Sequence, residues 1–445
     1  MTKLSEAKRW NQPWDTPDPD QWTAYQRDIY SSLRKPIFSA KPSEWEALAR
    51  KKVPAENFGY VFGSASSAAT YAANRAAFDR YRLRPRMLVN ATRRDTSVEL
   101  FGDEYSSPLL VAPVGVQNIM HSDAEEATAR ACHKLKVPMI LSTAATRTIE
   151  QVASANGDGP RWFQLYWPKP QEEAITVSLL NRAKANGFKV LVVTLDTFTL
   201  AWRPEDLDHA YLPFLWGDGC QIGHSDPVFN ERYGEMEAEE KGKSAGEKMR
   251  EAWEMLKRPG TPWGALRVLT NSATLKRSRA WLDIMNSGTY REWQHLKILK
   301  HLWDGPIVLK GIQTVEDARR AVDHGMDGII VSNHGGRQLD GAIASLDALA
   351  DIGADEVVKK SGITLLFDSG VRTGSDVLKA IALGAKAVLI GRPYMYGLAI
   401  GGQAGVEHVL RCLLADTDNM LANAGKKSLK ELSRDDLQIR LESKL

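Results

Sequence analysis

The sequence predicts an α/β fold: a (β/α)8 TIM barrel with an N-terminal helical segment and a long lid insertion between strand 4 and strand 5 of the barrel. From residue 108 onward, short apolar runs alternate with amphipathic stretches, as in buried parallel strands joined by helices. There are eight such runs, and most are followed by a helix-like segment. A doubly wound open sheet stays as an alternative, because periodicity alone does not show that a sheet closes.

The elements follow one another along the chain. The region before the barrel is rich in Trp, Pro and charge, and a helical pattern covers 43–52 with Ser43 as the predicted N-cap. The predicted strands are 108–114, 138–142, 161–167, 190–196, 306–311, 328–332, 363–368 and 387–391. The helix-like segments between them include 123–135, 172–185, 314–324 and 374–383.

The insertion, residues 203–288, is too long for a compact loop. Its apolar start, Leu212-Pro213-Phe214-Leu215-Trp216, predicts a lid over a pocket, whereas 231–258 mixes both signs of charge and predicts a solvated helix. We divide the chain into an N-terminal segment (1–100) that packs on the barrel, the barrel with its insertion (101–425), and a polar C-terminal tail (426–445). The stretch 426–442 is expected to be exposed.

Composition excludes several classes of protein. Of 445 residues, 43% are hydrophobic and 25% charged, which is typical of a folded globular protein. No apolar run approaches the ~18 residues of a membrane span, and a net charge of +3 with interspersed signs gives no reason to expect nucleic acid. Cys132, Cys220 and Cys412 lie far apart without metal-like spacing, so we expect reduced thiols and no metal site.

The two termini point to a location. The first eleven residues lack the apolar core of a secretory signal. The chain ends in Ser443-Lys444-Leu445, the tripeptide that the peroxisomal import receptor binds. We therefore expect a peroxisomal protein, or otherwise a cytoplasmic one.

Polar residues follow almost every predicted strand. In a (β/α)8 barrel, catalytic groups gather at the carboxyl ends of the strands. The residues at these ends are Gln117, Ser142, Gln164, Tyr166, Thr194, Asp196, Lys310, Ser332, His334, Asp368 and Arg392. Packing does not require so many polar groups at one end, and the pattern therefore predicts an enzyme.

The densest motif is Ser332-Asn333-His334-Gly335-Gly336-Arg337-Gln338-Leu339-Asp340. A histidine and an arginine separated by two glycines can place a base and an anion clamp beside one substrate. The glycines allow the backbone to approach closely. An isolated histidine would more often be structural, but this position at a strand end favours catalysis.

This motif resembles that of the FMN-dependent L-2-hydroxy-acid oxidase family, which includes glycolate oxidase, lactate oxidase and lactate 2-monooxygenase. The resemblance extends over about 54–405, and the segment 194–204 is most similar to lactate 2-monooxygenase. Further motifs that carry it are Phe163-Gln164-Leu165-Tyr166, Leu309-Lys310-Gly311, Asp368-Ser369-Gly370-Val371-Arg372 and Ile390-Gly391-Arg392-Pro393. It implies FMN as cofactor, a small 2-hydroxy acid and O2 as reactants, and a homotetramer.

The resemblance also implies the catalytic residues. His334 would accept the substrate's proton, and Asp196 would stabilise the protonated imidazole. Tyr166 would lie near the substrate hydroxyl. Lys310 would face the flavin where negative charge develops on reduction.

By the same resemblance, Tyr60, Arg203 and Arg337 would bind the substrate carboxylate. Tyr166 and His334 would also contact the substrate. A guanidinium fork suits a carboxylate. The residues expected to bind the cofactor are Pro113, Val114, Gly115, Ser142, Gln164, Thr194, Lys310, Ser332, Asp368, Ser369, Gly370, Arg372, Gly391 and Arg392.

Three positions depart from the family pattern. Gly115 stands where many members carry Ala, and Ala144 stands where larger side chains occur. Both changes are expected to enlarge the space beside the substrate. Ser369 replaces a common Gly in the region expected to bind phosphate.

Two outcomes of catalysis stay open within this interpretation. An oxidase would release the 2-oxo acid and peroxide, whereas a monooxygenase would retain both until peroxide decarboxylates the oxo acid. From other classes, the alternatives are a phosphate-binding barrel isomerase or aldolase, and a flavin-binding protein without turnover. The pairing of His334 and Arg337 with Lys310 argues against both.

Overall fold

A computed structural model describes residues 15–241, 246, 247, 249, 250, 253 and 271–440. The part before the barrel consists of helices α1 (Ala24–Ser32), α2 (Pro42–Arg50), α3 (Ala55–Phe62) and α4 (Ala69–Arg80) and strands β1 (Tyr81–Leu83), β2 (Val98–Leu100) and β3 (Asp103–Tyr105). The predicted cap at Ser43 is wrong, because α2 already begins at Pro42 and has no side-chain cap. Proline is favourable in the first helical turn, because backbone N–H groups there make no hydrogen bond within the helix and proline lacks this group.

Strands and helices then alternate. The first half of the barrel consists of β4 (Leu109–Val111), α5 (Ala124–Leu135), β5 (Met139–Ser142), α6 (Ile149–Asn156), β6 (Arg161–Leu165), α7 (Glu173–Ala185) and β7 (Leu191–Thr194). The insertion and the helix after it contain α8 (Pro204–Asp208), α9 (Gln221–His224), α10 (Pro227–Lys241), α11 (Ser272–Met285) and α12 (Leu296–Leu302). The second half consists of β8 (Ile307–Ile312), α13 (Val315–Asp323), β9 (Gly328–Val331), α14 (Ser345–Ala354), α15 (Glu356–Ser361), β10 (Thr364–Phe367), α16 (Gly374–Ala382), β11 (Ala387–Ile390) and α17 (Arg392–Asn423).

The eight parallel strands β4–β11 close into a barrel. Each strand pairs with the next, and β11 returns to β4 with Val388 opposite Leu109. This closure confirms the predicted (β/α)8 barrel and excludes the doubly wound sheet. The strands read as continuous apolar runs because their two faces are buried, one by the surrounding helices and the other by the barrel interior.

Threonines fix the start of several barrel helices. Thr148, Thr314 and Thr373 each accept a hydrogen bond from the backbone N–H three residues later, at the start of α6, α13 and α16. Such a cap satisfies an N–H that has no partner inside the helix. Each cap fixes where its helix begins, so the turn between strand and helix stays short. These turns lie at the carboxyl ends of the barrel strands.

The insertion folds back onto the barrel. Helix α11 packs against the short turn Pro213–Trp216 and contacts α9. A Cβ atom on Gly223 would lie 2.2 Å from the ring of Trp281, so glycine is required for this packing. The predicted helix 231–258 is represented by α10 at its beginning, and most of the remainder lies outside the described residues.

The end of the chain differs from the expected exposed tail. Leu429, Leu432 and Leu437 are buried. Strand β12 (Leu437–Ile439) pairs antiparallel with β1. The expectation is therefore wrong for these three leucines, which pack into the hydrophobic core, whereas most of the polar residues around them are exposed as expected. Ser443-Lys444-Leu445 lies outside the described residues.

Two exclusions from composition can be compared with the structure. Within the described part of the chain, no helix has both the length and the hydropathy to cross a membrane, and no three His, Cys, Asp or Glu side chains gather as metal ligands. Cys132, Cys220 and Cys412 are free thiols, the first two of them buried.

Candidate active site

A cavity of about 370 Å³ lies at the carboxyl ends of the barrel strands, between α3 and the insertion. The lid prediction places Leu212 and Phe214 over a pocket, and both line this cavity. The predicted site residues that line it are Tyr60, Pro113, Val114, Gly115, Tyr166, Arg203, Lys310, His334, Arg337, Asp368, Ser369, Gly370, Arg372, Gly391 and Arg392.

The other predicted residues lie behind this surface. Ser142 donates a hydrogen bond to Gln164 (3.1 Å), whose amide donates to Thr194 (3.0 Å). All three are buried, as is Ser332, which accepts a hydrogen bond from Lys310 (3.0 Å). Asp196 contacts His334 rather than the cavity.

Gln117, the first residue of the polar set at the strand ends, does not line the cavity. Its amide donates to the carbonyl of Val114 (3.0 Å), and its oxygen accepts a hydrogen bond from Thr128 (2.7 Å). It is therefore a buried structural residue that ties the turn after β4 to α5.

Backbone conformation explains the two glycines of the histidine motif. Gly335 and Gly336 have φ angles of 66° and 77°, which glycine adopts without strain. A Cβ atom on Gly336 would lie 2.7 Å from the backbone nitrogen of Tyr71 in α4. His334 itself has φ 58°, an uncommon value for a residue with a side chain. The turn is held by Asn333, whose side chain accepts a hydrogen bond from the N–H of Gly336 (3.2 Å).

The histidine is oriented by a carboxylate. His334 Nδ1 lies 2.8 Å from Asp196 Oδ1, and the hydroxyl of Thr197 donates to the same oxygen (3.0 Å). Burial lowers the pKa of His334, against the attraction of Asp196. Burial alone would raise the pKa of Asp196, but the charges of His334 and Lys310 and its hydrogen bonds hold it below the ordinary value. With Nδ1–H donating to a carboxylate, the neutral ring keeps Nε2 available to accept a proton.

Lys310 is a buried cation beside two carboxylates. Its Nζ lies 3.5 Å from Asp368 Oδ2 and 4.0 Å from Asp196 Oδ2. Burial would lower the pKa of Lys310, but Asp368 and Asp196 raise it above the ordinary value. The ammonium group therefore stays charged and can stabilise negative charge that develops in the cavity.

Two arginines face the cavity, and no carboxylate among the described residues is bonded to either. Arg203 donates to the carbonyl of Arg337 (3.0 Å) and to the side chain of Gln338 (2.6 Å). Arg337 donates to the carbonyls of Val61 (3.2 Å) and Gly63 (2.7 Å). All four acceptors are neutral. Burial lowers the pKa of Arg337 to about 9, and the charge of Arg203 acts in the same direction. An anion between the two guanidinium groups would relieve both effects.

Two buried tyrosines lie near the arginines. The guanidinium carbon of Arg337 lies 5.5 Å from the ring centroid of Tyr60. Burial raises the pKa of Tyr60 to about 12, and it also raises the pKa of Tyr166. Both phenols therefore stay neutral and can donate hydrogen bonds to an anion or a hydroxyl.

Another group of residues that line the cavity suits a phosphate. Arg372 Nη2 and Arg392 Nε are buried and have no hydrogen-bond partner among the residues that the structure describes. Gly391 precedes the first residue of α17, and Ser369 and Gly370 have φ angles of 84° and 91°. A helix N-terminus and successive left-handed residues both direct N–H groups at an anion. FMN has such a phosphate, so these residues fit that cofactor.

Ser369 occupies a conformation that favours glycine, which accounts for the glycine that is common at this position. Its hydroxyl donates to Asp368 (2.7 Å) and accepts from the N–H of Gly335 (3.0 Å). These two hydrogen bonds compensate for the strained backbone and tie the turn after β10 to the histidine turn.

The expected extra space at Gly115 is absent. A Cβ atom there would lie 2.5 Å from the carbonyl oxygen of Ala144 and 2.7 Å from its Cβ. The prediction for Gly115 is wrong, because Ala144 packs directly against it. The two turns after β4 and β5 approach each other, and only glycine permits that distance.

Sequence reasoning missed several lining residues. Thr197 lines the cavity and contacts His334; its position directly after Asp196 was the available signal. Leu200, just before the insertion, also lines the cavity, as do three apolar residues of α11: Trp281, Leu282 and Met285. Nothing in the local pattern indicates which face of α11 meets the barrel.

Comparison with known proteins agrees with this geometry. The profile of the FMN-dependent dehydrogenase family matches residues 49–439. An FMN-dependent alpha-hydroxy acid dehydrogenase, qulF, from Penicillium citrinum is 45% identical over 94% of this chain and 96% of its own length. An L-lactate oxidase from Lysinibacillus sphaericus is 38% identical over 88% of this chain and 90% of its own, and the glycolate oxidase of Spinacia oleracea is 36% identical over 88% and 94%.

Solved structures agree as well. A crystal structure of mandelate oxidase superimposes with a TM-score of 0.72 at 32% identity, covering 91% of this chain and 99% of that one. A structure titled as a putative lactate oxidase from Pediococcus acidilactici gives 0.72 at 30% identity, with 92% and 97% covered. The chain is thus an FMN-dependent enzyme of the α-hydroxy-acid-oxidising type, and it belongs to the FMN-dependent dehydrogenase family.

Proposed function

We propose that this enzyme oxidises a small (S)-2-hydroxy acid of the lactate type to the 2-oxo acid, with O2 as electron acceptor. The observation that carries the proposal is one cavity in which a neutral, carboxylate-oriented His334 lies with two arginines that have no carboxylate bonded to them. A 2-hydroxy acid needs both features, because it has a carboxylate to bind and an adjacent alcohol whose hydroxyl loses a proton while its carbon loses a hydride equivalent.

The substrate carboxylate would lie between Arg203 and Arg337, with Tyr60 as a further donor. The hydroxyl would point to Tyr166 and His334. As the substrate is oxidised, Nε2 of His334 accepts its proton, and Asp196 stabilises the resulting imidazolium. FMN, when bound, supplies the acceptor for the hydride equivalent.

The residues that fit the cofactor divide by the group they would contact. Lys310 would stabilise negative charge on the reduced ring, and Pro113, Val114 and Gly115 would line one ring face. Asp368 would hold the ribityl chain. The phosphate would be bound by Ser369, Gly370, Arg372, Gly391 and Arg392. Ser142, Gln164, Thr194 and Ser332 do not reach the cavity, so they would contact the ring edge only if it inserts as far as this buried layer.

The apolar lining supports a substrate with a small apolar substituent. Ala144, Leu200, Leu212, Phe214 and Met285 line the cavity. A methyl or slightly larger group would remove apolar surface from water there, at about 25 cal/mol per Å². Relatives named as lactate oxidases are consistent with this class.

A second outcome has a structural argument of its own. Leu212 and Phe214 of the insertion lie over the cavity, and a lid of this kind can retain the oxo acid while peroxide is still present. We therefore keep lactate 2-monooxygenase-type decarboxylation, which gives acetate, CO2 and water, as the alternative to peroxide release.

The test uses the purified holoenzyme. We expect a yellow protein whose flavin absorbance bleaches when L-lactate is added without air, and a His334→Ala variant that stays yellow but does not bleach. If the protein is yellow but neither L-lactate nor a panel of 2-hydroxy acids bleaches it, the proposal that it oxidises 2-hydroxy acids is wrong. After air is admitted, pyruvate with peroxide identifies an oxidase, and acetate identifies a monooxygenase.

We also propose import into peroxisomes through Ser443-Lys444-Leu445. A relative in Oryza sativa is named a peroxisomal (S)-2-hydroxy-acid oxidase, which supports the proposal. A tagged chain should enter peroxisomes, and removal of the tripeptide should leave it in the cytosol; an unchanged distribution would contradict the proposal.

A further inference from the structure

Asp206 is a buried carboxylate that the proposed reaction does not use. It lies in α8, three residues after Arg203, and only 7% of it is exposed. Neither carboxylate oxygen has a hydrogen-bond partner within the described part of the chain. A carboxylate buried without hydrogen bonds destabilises the fold, and burial raises the pKa of Asp206. Some other interaction must therefore offset the loss of stability that this buried carboxylate causes.

The charges around Asp206 supply one. Arg337 and Arg203 both act on it electrostatically, and Asp206 acts in return on Arg337 and on the Tyr60 phenol. Glu205 opposes the two arginines, and His209 supports them weakly. Since both arginines donate only to neutral acceptors, Asp206 offsets their charge through space rather than by contact.

The summed charge of Arg203, Arg337 and Asp206, which together form the anion clamp, then equals the charge needed to neutralise a single carboxylate. Two guanidinium groups and one carboxylate leave a net charge of +1 when Asp206 is ionised. A monocarboxylate neutralises the two arginines and Asp206 taken together, whereas a second negative charge would be repelled by Asp206 through space. Arg392 also acts on Arg337, and both donate to the carbonyl of Gly63. Arg392 is left out of this sum because, in the proposed function, the FMN phosphate would offset its charge.

We propose that Asp206 tunes the anion site: its charge weakens carboxylate binding by Arg203 and Arg337, and selects monocarboxylates over dicarboxylates. This inference rests on the proposed function, because it places the substrate carboxylate between these arginines. Asp206 is thus a specificity-determining residue that does not touch the reacting atoms. Weaker binding of the product carboxylate also favours its release after oxidation.

The experiment measures anion binding by the FMN-loaded enzyme, with no turnover. Acetate and oxalate are titrated at constant ionic strength, and the change in the flavin absorption spectrum reports binding. Asp206→Asn should bind acetate roughly tenfold more tightly than the wild type and oxalate by a larger factor, because a nearby negative charge has been removed. Asp206→Ala should shift both affinities in the same direction, which separates charge from hydrogen bonding.

A matched control lies in the same helix. Asp208 is exposed, so Asp208→Asn removes the same charge where solvent screens it and should change neither affinity by more than about twofold. Steady-state kinetics should agree, with a lower KM in Asp206→Asn and a kcat that does not rise. Equal affinities in Asp206→Asn and the wild type, with normal FMN content, would overturn the inference.

A further variant separates this inference from the proposed function. Arg337→Ala should abolish most acetate binding while FMN stays bound, and this result would support the clamp on which the inference rests. Unchanged acetate binding in Arg337→Ala would overturn the proposed carboxylate site, whatever Asp206→Asn shows.

Discussion

His334 Nδ1 lies 2.8 Å from Asp196 Oδ1, although 138 residues separate the two in the chain. Asp196 follows β7 and His334 follows β9, and β8 between them carries Lys310. The barrel thus places an imidazole, its carboxylate partner and a cation on three adjacent strand ends. The chemistry of each depends on the other two, because Lys310 and His334 hold Asp196 ionised.

Removal of the Asp196 charge should slow reduction of the flavin. In Asp196→Asn, the imidazolium formed during oxidation loses its counter-ion, and we expect a reduction rate about 100-fold or more below the wild type. Anaerobic stopped-flow bleaching measures it. Thr197→Val removes only a neutral hydroxyl at 3.1 Å from the imidazole and should have a much smaller effect. Similar rates in Asp196→Asn and the wild type would contradict the role of the carboxylate.

The pH dependence of reduction should follow the neutral form of His334. Because burial lowers its pKa, the imidazole stays unprotonated at and above the usual histidine pKa of about 6.5. The rate should be constant from neutral pH downward and fall only as the pH drops through the lowered pKa. A pH profile of kcat/KM with 2-hydroxy-acid substrate reports this value. A midpoint at or above about 6.5 would show that burial is not dominant.

Loss of the Lys310 cation should make the flavin harder to reduce. Lys310→Met removes the positive charge that Asp368 and Asp196 retain in the protein interior. We expect a more negative reduction potential, measured by spectroelectrochemistry, and slower bleaching by substrate. The variant also leaves two buried carboxylates without their cation, and a lower Tm is expected. An unchanged potential in a folded, FMN-loaded variant would exclude the proposed contact with the ring.

Arg372 should discriminate FMN from riboflavin. Its unpartnered Nη2 is proposed to bind the phosphate, so Arg372→Ala should weaken FMN binding roughly tenfold or more, the scale of a charge-assisted hydrogen bond. Quenching of flavin fluorescence on titration of the apoprotein measures both ligands. Riboflavin has no phosphate and should bind the variant and the wild type equally. Parallel losses for both ligands would indicate a general structural defect instead.

Gly115→Ala should destabilise the fold rather than reshape the substrate pocket alone. The added Cβ meets the Ala144 carbonyl at 2.5 Å, so the two turns must separate, at a cost of about 1–3 kcal/mol. Chemical denaturation measures the loss. Adding Ala144→Gly removes the side-chain contact but leaves the carbonyl, and it should restore stability only in part. A fully stable Gly115→Ala would show that the turns can move apart freely.

The order of the eight strands could be predicted from the sequence, because short apolar runs separated by amphipathic segments are local signals. The histidine motif could also be found in the sequence, where the residue types and the two glycines predict a base and an anion-binding arginine on one turn. The sequence was misleading where the average polarity of a stretch conceals a few buried apolar side chains. The stretch 426–440 is polar as a whole and mostly exposed, yet Leu429, Leu432 and Leu437 within it are buried.

The way in which distant residues come to line one cavity depends on the folded structure and could not be predicted from the chain. Arg203 and Arg337 are 134 residues apart and meet because barrel closure and the insertion bring their turns together. The face of α11 that lines the cavity, the contact that fills the space beside Gly115, and the buried carboxylate of Asp206 likewise depend on packing and on charge acting through space. Neither leaves a periodic or local trace in the chain, because both are set by neighbours that are remote in sequence.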